Sequence, residues 1–174
     1  MNIQIIRSEP KHKNQILQLY QGIADIADGI IRCREEITDE YVSGFLNSSI
    51  SHGLSLVGII EDNVIGEIHA HTPNIAAFQH LLTDLTIVVD QDHQGKGVGR
   101  KLFERFLEIV KTELTHIYRI ELYTREHNER NVKFYESLGF INEGGQKDKI
   151  FVAPSVFETP LHMAWFNPNY EHNK

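Results

Sequence analysis

The segment Val88-Val89-Asp90-Gln91-Asp92-His93-Gln94-Gly95-Lys96-Gly97-Val98-Gly99-Arg100 carries the strongest chemical signal in the sequence. Glycines at 95, 97 and 99 remove the β-carbons that would hold a ligand away from the backbone. A helix opening directly afterwards points the N–H groups of its first turn at the same spot, which makes an anion site. Lys96 and Arg100 add positive charge, and a pyrophosphate is the guest that fits. The run is not a Walker loop, because no Gly-Lys-Ser/Thr closes it. Nor is it a dinucleotide fingerprint, since Arg100 stands where the third glycine belongs. Taken alone, the loop also reads as a tight strand-to-helix turn with no ligand.

The elements around the loop follow from periodicity. Ile3-Gln4-Ile5-Ile6 reads as a first strand, and Ile16, Leu17, Tyr20, Ile23 and Ala24 recur at helical spacing. Thr38 is the N-cap expected for a second helix carrying Tyr41, Val42, Phe45 and Leu46. Leu54–Ile60 and Val64–Thr72 form a hairpin about the turn Glu61-Asp62-Asn63. Leu81–Val89 is the strand leading into the glycine loop. The helix after it sets Val98, Leu102, Phe103, Phe106, Leu107, Ile109 and Val110 in one apolar stripe. A strand over Ile117–Thr124 follows, then a helix capped by Asn128, carrying Val132, Tyr135 and Leu138 and stopped by Gly139. Strands begin again at Phe140-Ile141 and at Leu161–Phe166. Strands alternating with helices, plus one hairpin, imply a mixed sheet covered by helices.

The chain has 174 residues, 41% of them apolar and 24% charged, and reads as one domain over residues 1–174. Its net charge of −7 argues against binding a nucleic-acid backbone. No apolar run approaches the roughly 20 residues that cross a bilayer, so no membrane partner is expected. Met1-Asn2-Ile3-Gln4-Ile5-Ile6-Arg7 lacks the layout of a signal peptide. Cys33 is the single cysteine; it excludes an internal disulfide, suits a reducing cytoplasm and reads as a small buried thiol before a nucleophile.

Gln94-x-x-Gly97-x-Gly99 resembles the cofactor motif of the GNAT N-acetyltransferase superfamily, Gln/Arg-x-x-Gly-x-Gly/Ala. Asn128-Glu129-Arg130-Asn131-Val132-Lys133-Phe134-Tyr135-Glu136-Ser137-Leu138-Gly139-Phe140 resembles its second signature, Asn-x-x-Ala-x-x-x-Tyr-x-x-x-Gly-Phe, with Asn131 at the alanine position. The resemblance is specific from about Leu81 to Phe140 and covers the order of elements from Ile3 to Phe166. It implies an α+β fold, a central mixed, mostly antiparallel sheet of about six to seven strands flanked by about four helices. It also implies transfer of an acetyl group from acetyl-CoA to a primary amine, of a small molecule or of a peptide, by direct attack and without a covalent enzyme intermediate. Ile87, Val88 and Val89 match the strand that pairs with the pantetheine arm and polarises the thioester carbonyl. Gln94, Gly95, Lys96, Gly97, Val98, Gly99 and Arg100 match the pyrophosphate loop. Asn128 matches an asparagine on the cofactor arm, besides being a cap. Tyr135 matches the acid that protonates the departing thiolate, and its other reading is a core aromatic.

The amine must lose a proton, and the base is less marked. Asp84, charged among Leu81, Leu82, Leu85, Ile87 and Val88, is the first candidate, with a structural ion pair or turn as the alternative. Glu67 on the preceding strand is the second. His69 and His71 share one side of that strand. Without a third ligand they read as an exposed face, or as acceptor-pocket residues supplying a base, and no metal is expected. Glu35-Glu36 and Asp39-Glu40 read as a solvated helix face before a surface that greets a cationic amine. The aromatic stretch Met163–Tyr170 reads first as core packing and second as a homodimer contact. Transfer of a longer acyl group, transfer to a hydroxyl and a CoA-binding sensor without turnover are the competing functions.

Overall fold

The computed structural model of the chain describes residues 2–26 and 29–171. Among these residues the order is β1 (Gln4–Arg7), α1 (Lys13–Ala24), α2 (Asp39–His52), β2 (Gly53–Ile60), β3 (Asn63–His71), β4 (Leu81–Val89), α3 (Val98–Thr112), β5 (Arg119–Arg125), α4 (Glu129–Ser137), β6 (Ile141–Gly145), β7 (Ile150–Ala153), β8 (Val156–Glu158) and β9 (Pro160–Phe166). Seven strands form one sheet in the order β1-β2-β3-β4-β5-β9-β6, and β7 with β8 forms a separate hairpin. The β4–β5 pair is parallel, whereas β1–β2, β2–β3, β5–β9 and β6–β9 are antiparallel. This is the α+β architecture expected, with a mostly antiparallel sheet and four helices. Its contacts gather into two compact units, Met1–Thr72 with Thr86–Ile109, and Pro73–Leu85 with Val110–Lys174.

In the first unit, α1 buries Ile16, Leu19, Tyr20 and Ile23, the i, i+3, i+4, i+7 pattern of one helical face. The Thr38 side chain accepts a hydrogen bond from Tyr41 N at 3.2 Å and so starts α2 as expected. The β2–β3 hairpin turns through Glu61 and Asp62, both at positive φ. Val98, Leu102, Phe103, Phe106, Leu107 and Ile109 of α3 are all buried. Gly66 makes the close approach of α3 possible. A β-carbon there would lie 2.8 Å from Leu102 Cδ1 and 3.3 Å from the Val88 carbonyl oxygen.

The second unit is built on β9, which lies between β5 and β6 and buries Leu161, Met163, Ala164 and Trp165. Strand β5 begins at Arg119 rather than Ile117, because Ile117 N is spent closing a turn onto Leu114 O at 2.9 Å. The stop expected after α4 is present: Gly139 has φ 93, and Phe140 N returns to Tyr135 O at 3.1 Å. The hairpin β7–β8, Ile150–Ala153 with Val156–Glu158, has no counterpart in the periodicity of the sequence. Among the described residues no helix is long and apolar enough to cross a membrane.

Candidate active site

The glycine loop is shaped by its backbone. Asp90 caps its first turn, accepting from Asp92 N at 3.1 Å and lying 2.7 Å from His93 Nδ1. Gln94 then donates from Nε2 to Val89 O at 3.0 Å, tying the loop to the end of its own strand. Gly95 and Gly97 adopt φ 71 and 82, the left-handed region that side chains disfavour. A β-carbon at either would meet nothing within 4 Å, so conformation rather than crowding demands glycine there. Gly99 differs: it is helical, and a β-carbon would touch Val89 Cγ2 at 3.7 Å in ordinary contact. The bond from Lys101 N to Gly97 O at 3.1 Å starts α3. The N–H groups before it therefore belong to the unbonded first turn. Of the two loop cations, Lys96 is exposed and Arg100 leans on Glu104 at 3.6 Å. Val88 is buried, and Ile87 and Val89 are half-buried.

The same unit holds a buried carboxylate. Glu67 is fully buried on β3, and three groups meet it. Tyr20 Oη donates to Oε2 at 2.6 Å, Ser55 Oγ donates to Oε1 at 2.8 Å, and His69 Nδ1 lies 3.0 Å from Oε2. Burial, then the charge of Glu67, holds the Tyr20 phenol well above its ordinary value. Phe45 of α2 stacks on His69 with ring centroids 4.0 Å apart and planes 6° from parallel. His69 is thus buried, not part of an exposed strand face, while His71 is half-buried. Among the described residues no group of three or more His, Cys, Asp or Glu side chains is placed to hold a metal. Cys33 is exposed rather than buried, and its Sγ and N both donate to Glu36 Oε2. Glu35, Glu36, Asp39 and Glu40 are all exposed.

In the second unit Asn128 caps α4, its Oδ1 accepting from Asn131 N at 3.1 Å. Tyr135 is buried with edge contacts to Phe134 and Phe140. Burial pushes its phenol up to about 12. Asp84 is exposed and takes φ 53 inside β4, a conformation that marks a local break in a strand. The β4–β5 register joins Leu81 to Arg119 and Leu82 to Ile120, and so lies entirely before Asp84. Glu67 and Asp84, the two candidate bases, therefore differ completely in environment. The contacts of Tyr20 with Glu67 and His69 were not read from the sequence. A tyrosine in an apolar helix stripe gives no sign of where its hydroxyl points.

Strand order, helix placement and a left-handed glycine loop at the head of α3 are the features of the acyltransferase fold expected above. A model of the acetyltransferase (GNAT) family matches residues 20–140, and the chain belongs to that family. Spermidine N(1)-acetyltransferase of Vibrio cholerae serotype O1 is 31% identical over 97 residues, which are 54% of this chain and 54% of the relative. The chain thus spans about half the length of the curated relative it matches. A GNAT-family acetyltransferase structure from Streptococcus pneumoniae superposes with TM-score 0.85 at 20% identity, over 95% of this chain and 99% of the other. The Salmonella typhimurium protein yncA, solved with its cofactor acetyl-CoA, gives 0.83 at 18% identity, over 100% and 98%. Both establish the shared fold.

Proposed function

We propose that the chain is an N-acetyltransferase, one functional domain over residues 1–174, that moves the acetyl group of acetyl-CoA to a primary amine. The glycine loop carries this reading: left-handed backbone at Gly95 and Gly97, open space around both, and the first turn of α3 directly behind. Backbone N–H groups from Gly95 to Arg100 would hold the pyrophosphate, with Gln94 fixing the loop and Lys96 adding charge. Ile87, Val88 and Val89 would pair with the pantetheine arm and polarise the thioester carbonyl. Asn128 uses Oδ1 as a cap, and its amide would serve the cofactor arm.

In the reaction a C–N bond forms as the C–S bond breaks, the amine gives up a proton and the sulfur gains one. Tyr135 is the donor to the sulfur. Its phenol, at about 12, stays protonated at neutral pH. It also lies well above an ordinary thiol of about 8.5, so it acts chiefly by hydrogen-bonding the sulfur as charge develops. The amine proton needs an acceptor as well, for which the sequence offers Asp84 and Glu67 as candidates. The relative's name supports a polyamine such as spermidine as acceptor, and the net charge of −7 suits a cation. An exposed single thiol at Cys33 supports a reducing, cytoplasmic setting. The paired aromatics Tyr118 and Phe166 support a homodimer contact there, since both are exposed. The test is CoA release from acetyl-CoA with spermidine. Wild type should turn over, and Tyr135→Phe should lose about 100-fold in kcat with acetyl-CoA affinity retained. Equal rates would remove Tyr135 from the mechanism.

A further inference from the structure

We infer that His69, through Nε2, is the group that takes the proton from the attacking amine, with Glu67 and Tyr20 as the positioning residues that fix its tautomer. The inference rests on the acetyltransferase reading and replaces Asp84 and Glu67 as direct bases.

Glu67 is badly placed to accept a further proton from substrate. Both its oxygens already take donors from the protein, Oε1 from Ser55 and Oε2 from Tyr20. His69 has the complementary arrangement. Among the described residues both of its ring hydrogen bonds run through Nδ1, to Glu67 Oε2 at 3.0 Å and to Tyr20 Oη at 3.3 Å. The Tyr20 proton is committed to Glu67, as the 2.6 Å contact shows. A lone pair on Nδ1 would then face a carboxylate at 3.0 Å, so Nδ1 must carry the hydrogen. The neutral ring is left with its lone pair on Nε2, the tautomer a proton acceptor needs. When Nε2 takes a proton, Glu67 stabilises the imidazolium and the stacked Phe45 ring presents its π face.

Position supports the assignment. Glu67 and His69 share the face of β3 met by Tyr20 of α1 and Phe45 of α2, whereas Gly66 lies on the α3 face beside Leu102. Asp90 N donates to Ile65 O at 2.9 Å, and a β-carbon on Gly66 would stand 3.3 Å from Val88 O. A step forward on β3 is thus a step back on β4. Four residues further, ~13 Å at about 3.3 Å per residue, His69 comes level with about Thr86. That position of β4 leads directly into Ile87–Val89. The other titratable groups around the ring are Tyr20 on α1, Glu67 on β3, and Tyr41 behind Phe45, over which Arg32 sits at 4.4 Å.

The test uses the full chain, acetyl-CoA and spermidine. His69→Gln should bind acetyl-CoA as wild type does while kcat/KM falls about 100-fold at neutral pH. The deficit should shrink as pH rises and the amine arrives already deprotonated. A merely structural role would leave a deficit independent of pH. Glu67→Gln should shift the bend in the pH profile and lower the rate less than His69→Gln. Nitrogen-15 NMR of the wild type should show neutral His69 as the Nδ1–H tautomer. Wild-type rates in His69→Gln across the pH range, or an Nε2–H tautomer, would overturn the inference while leaving the acetyltransferase reading intact. If acetyl-CoA binds but spermidine is not acetylated, the tautomer decides. If the wild type does not bind acetyl-CoA, the parent reading falls and this one with it.

Discussion

The glycine loop and the Glu67 cluster belong to the same unit and achieve order by opposite means. In the loop, backbone conformation does the work: Gly95 and Gly97 sit at positive φ with open space around them, and side chains enter only as ties at Asp90 and Gln94. In the cluster, side chains do it. A buried charge is held by Tyr20, Ser55 and His69, and Ser55 Oγ and Ser8 Oγ lie 2.6 Å apart behind it. A backbone site can be changed with little loss of stability and great loss of ligand binding. A buried polar network links the two, because each partner removed strands another donor or acceptor.

The largest effect expected is on the cluster. Glu67→Ala leaves the Tyr20, Ser55 and His69 groups buried without their acceptor and should destabilise the chain by about 3 kcal/mol. Urea unfolding checks this, and a shift below about 1 kcal/mol would mean water replaces the carboxylate.

Tyr135 sharpens the contrast with Tyr20, for both are buried phenols but burial alone raises Tyr135. Its folded value of about 12 exceeds the ordinary 10.0. The unfolded chain therefore releases this proton first, and stability falls as pH rises. The contribution is whole below about pH 10 and is lost progressively towards about pH 12, roughly 2–3 kcal/mol in all. Thermal unfolding across that range should show the decline, and Tyr135→Phe should reduce it.

Gly66→Ala should cost about 2 kcal/mol, since its β-carbon meets Leu102 and the Val88 carbonyl. Gly97→Ala should cost only about 1 kcal/mol, the strain of a left-handed side chain in open space. Equal losses at the two glycines would erase the distinction between packing glycine and loop glycine.

The sequence made legible what depends on local chemistry. The apolar stripe of α3, the Thr38 and Asn128 caps and the Gly139 stop each announce themselves within a few residues. The glycine loop was legible too, although only the structure separates Gly95 and Gly97, required by φ, from Gly99, which is an ordinary helical position. The Tyr20–Glu67 bond spans 47 positions, and no spacing rule connects a helix tyrosine to a strand glutamate that far away. Asp84 is a strand residue by pattern, yet it holds φ 53, a conformation aspartate tolerates better than most residues but strand periodicity does not announce. The β7–β8 hairpin escaped because Phe151, Val152, Val156 and Phe157 are all exposed, which leaves no alternation of buried and exposed positions to read.

Acetyl-CoA binding by calorimetry, on the wild type and on Gly97→Glu, asks whether the glycine loop holds the cofactor. The wild type should give a saturable exothermic isotherm and the variant none, because a carboxylate at position 97 meets the pyrophosphate at the head of α3. Circular dichroism of the variant should confirm that it remains folded. A wild type that does not bind acetyl-CoA, or a folded variant that binds as well as the wild type, would mean the loop is not the pyrophosphate site.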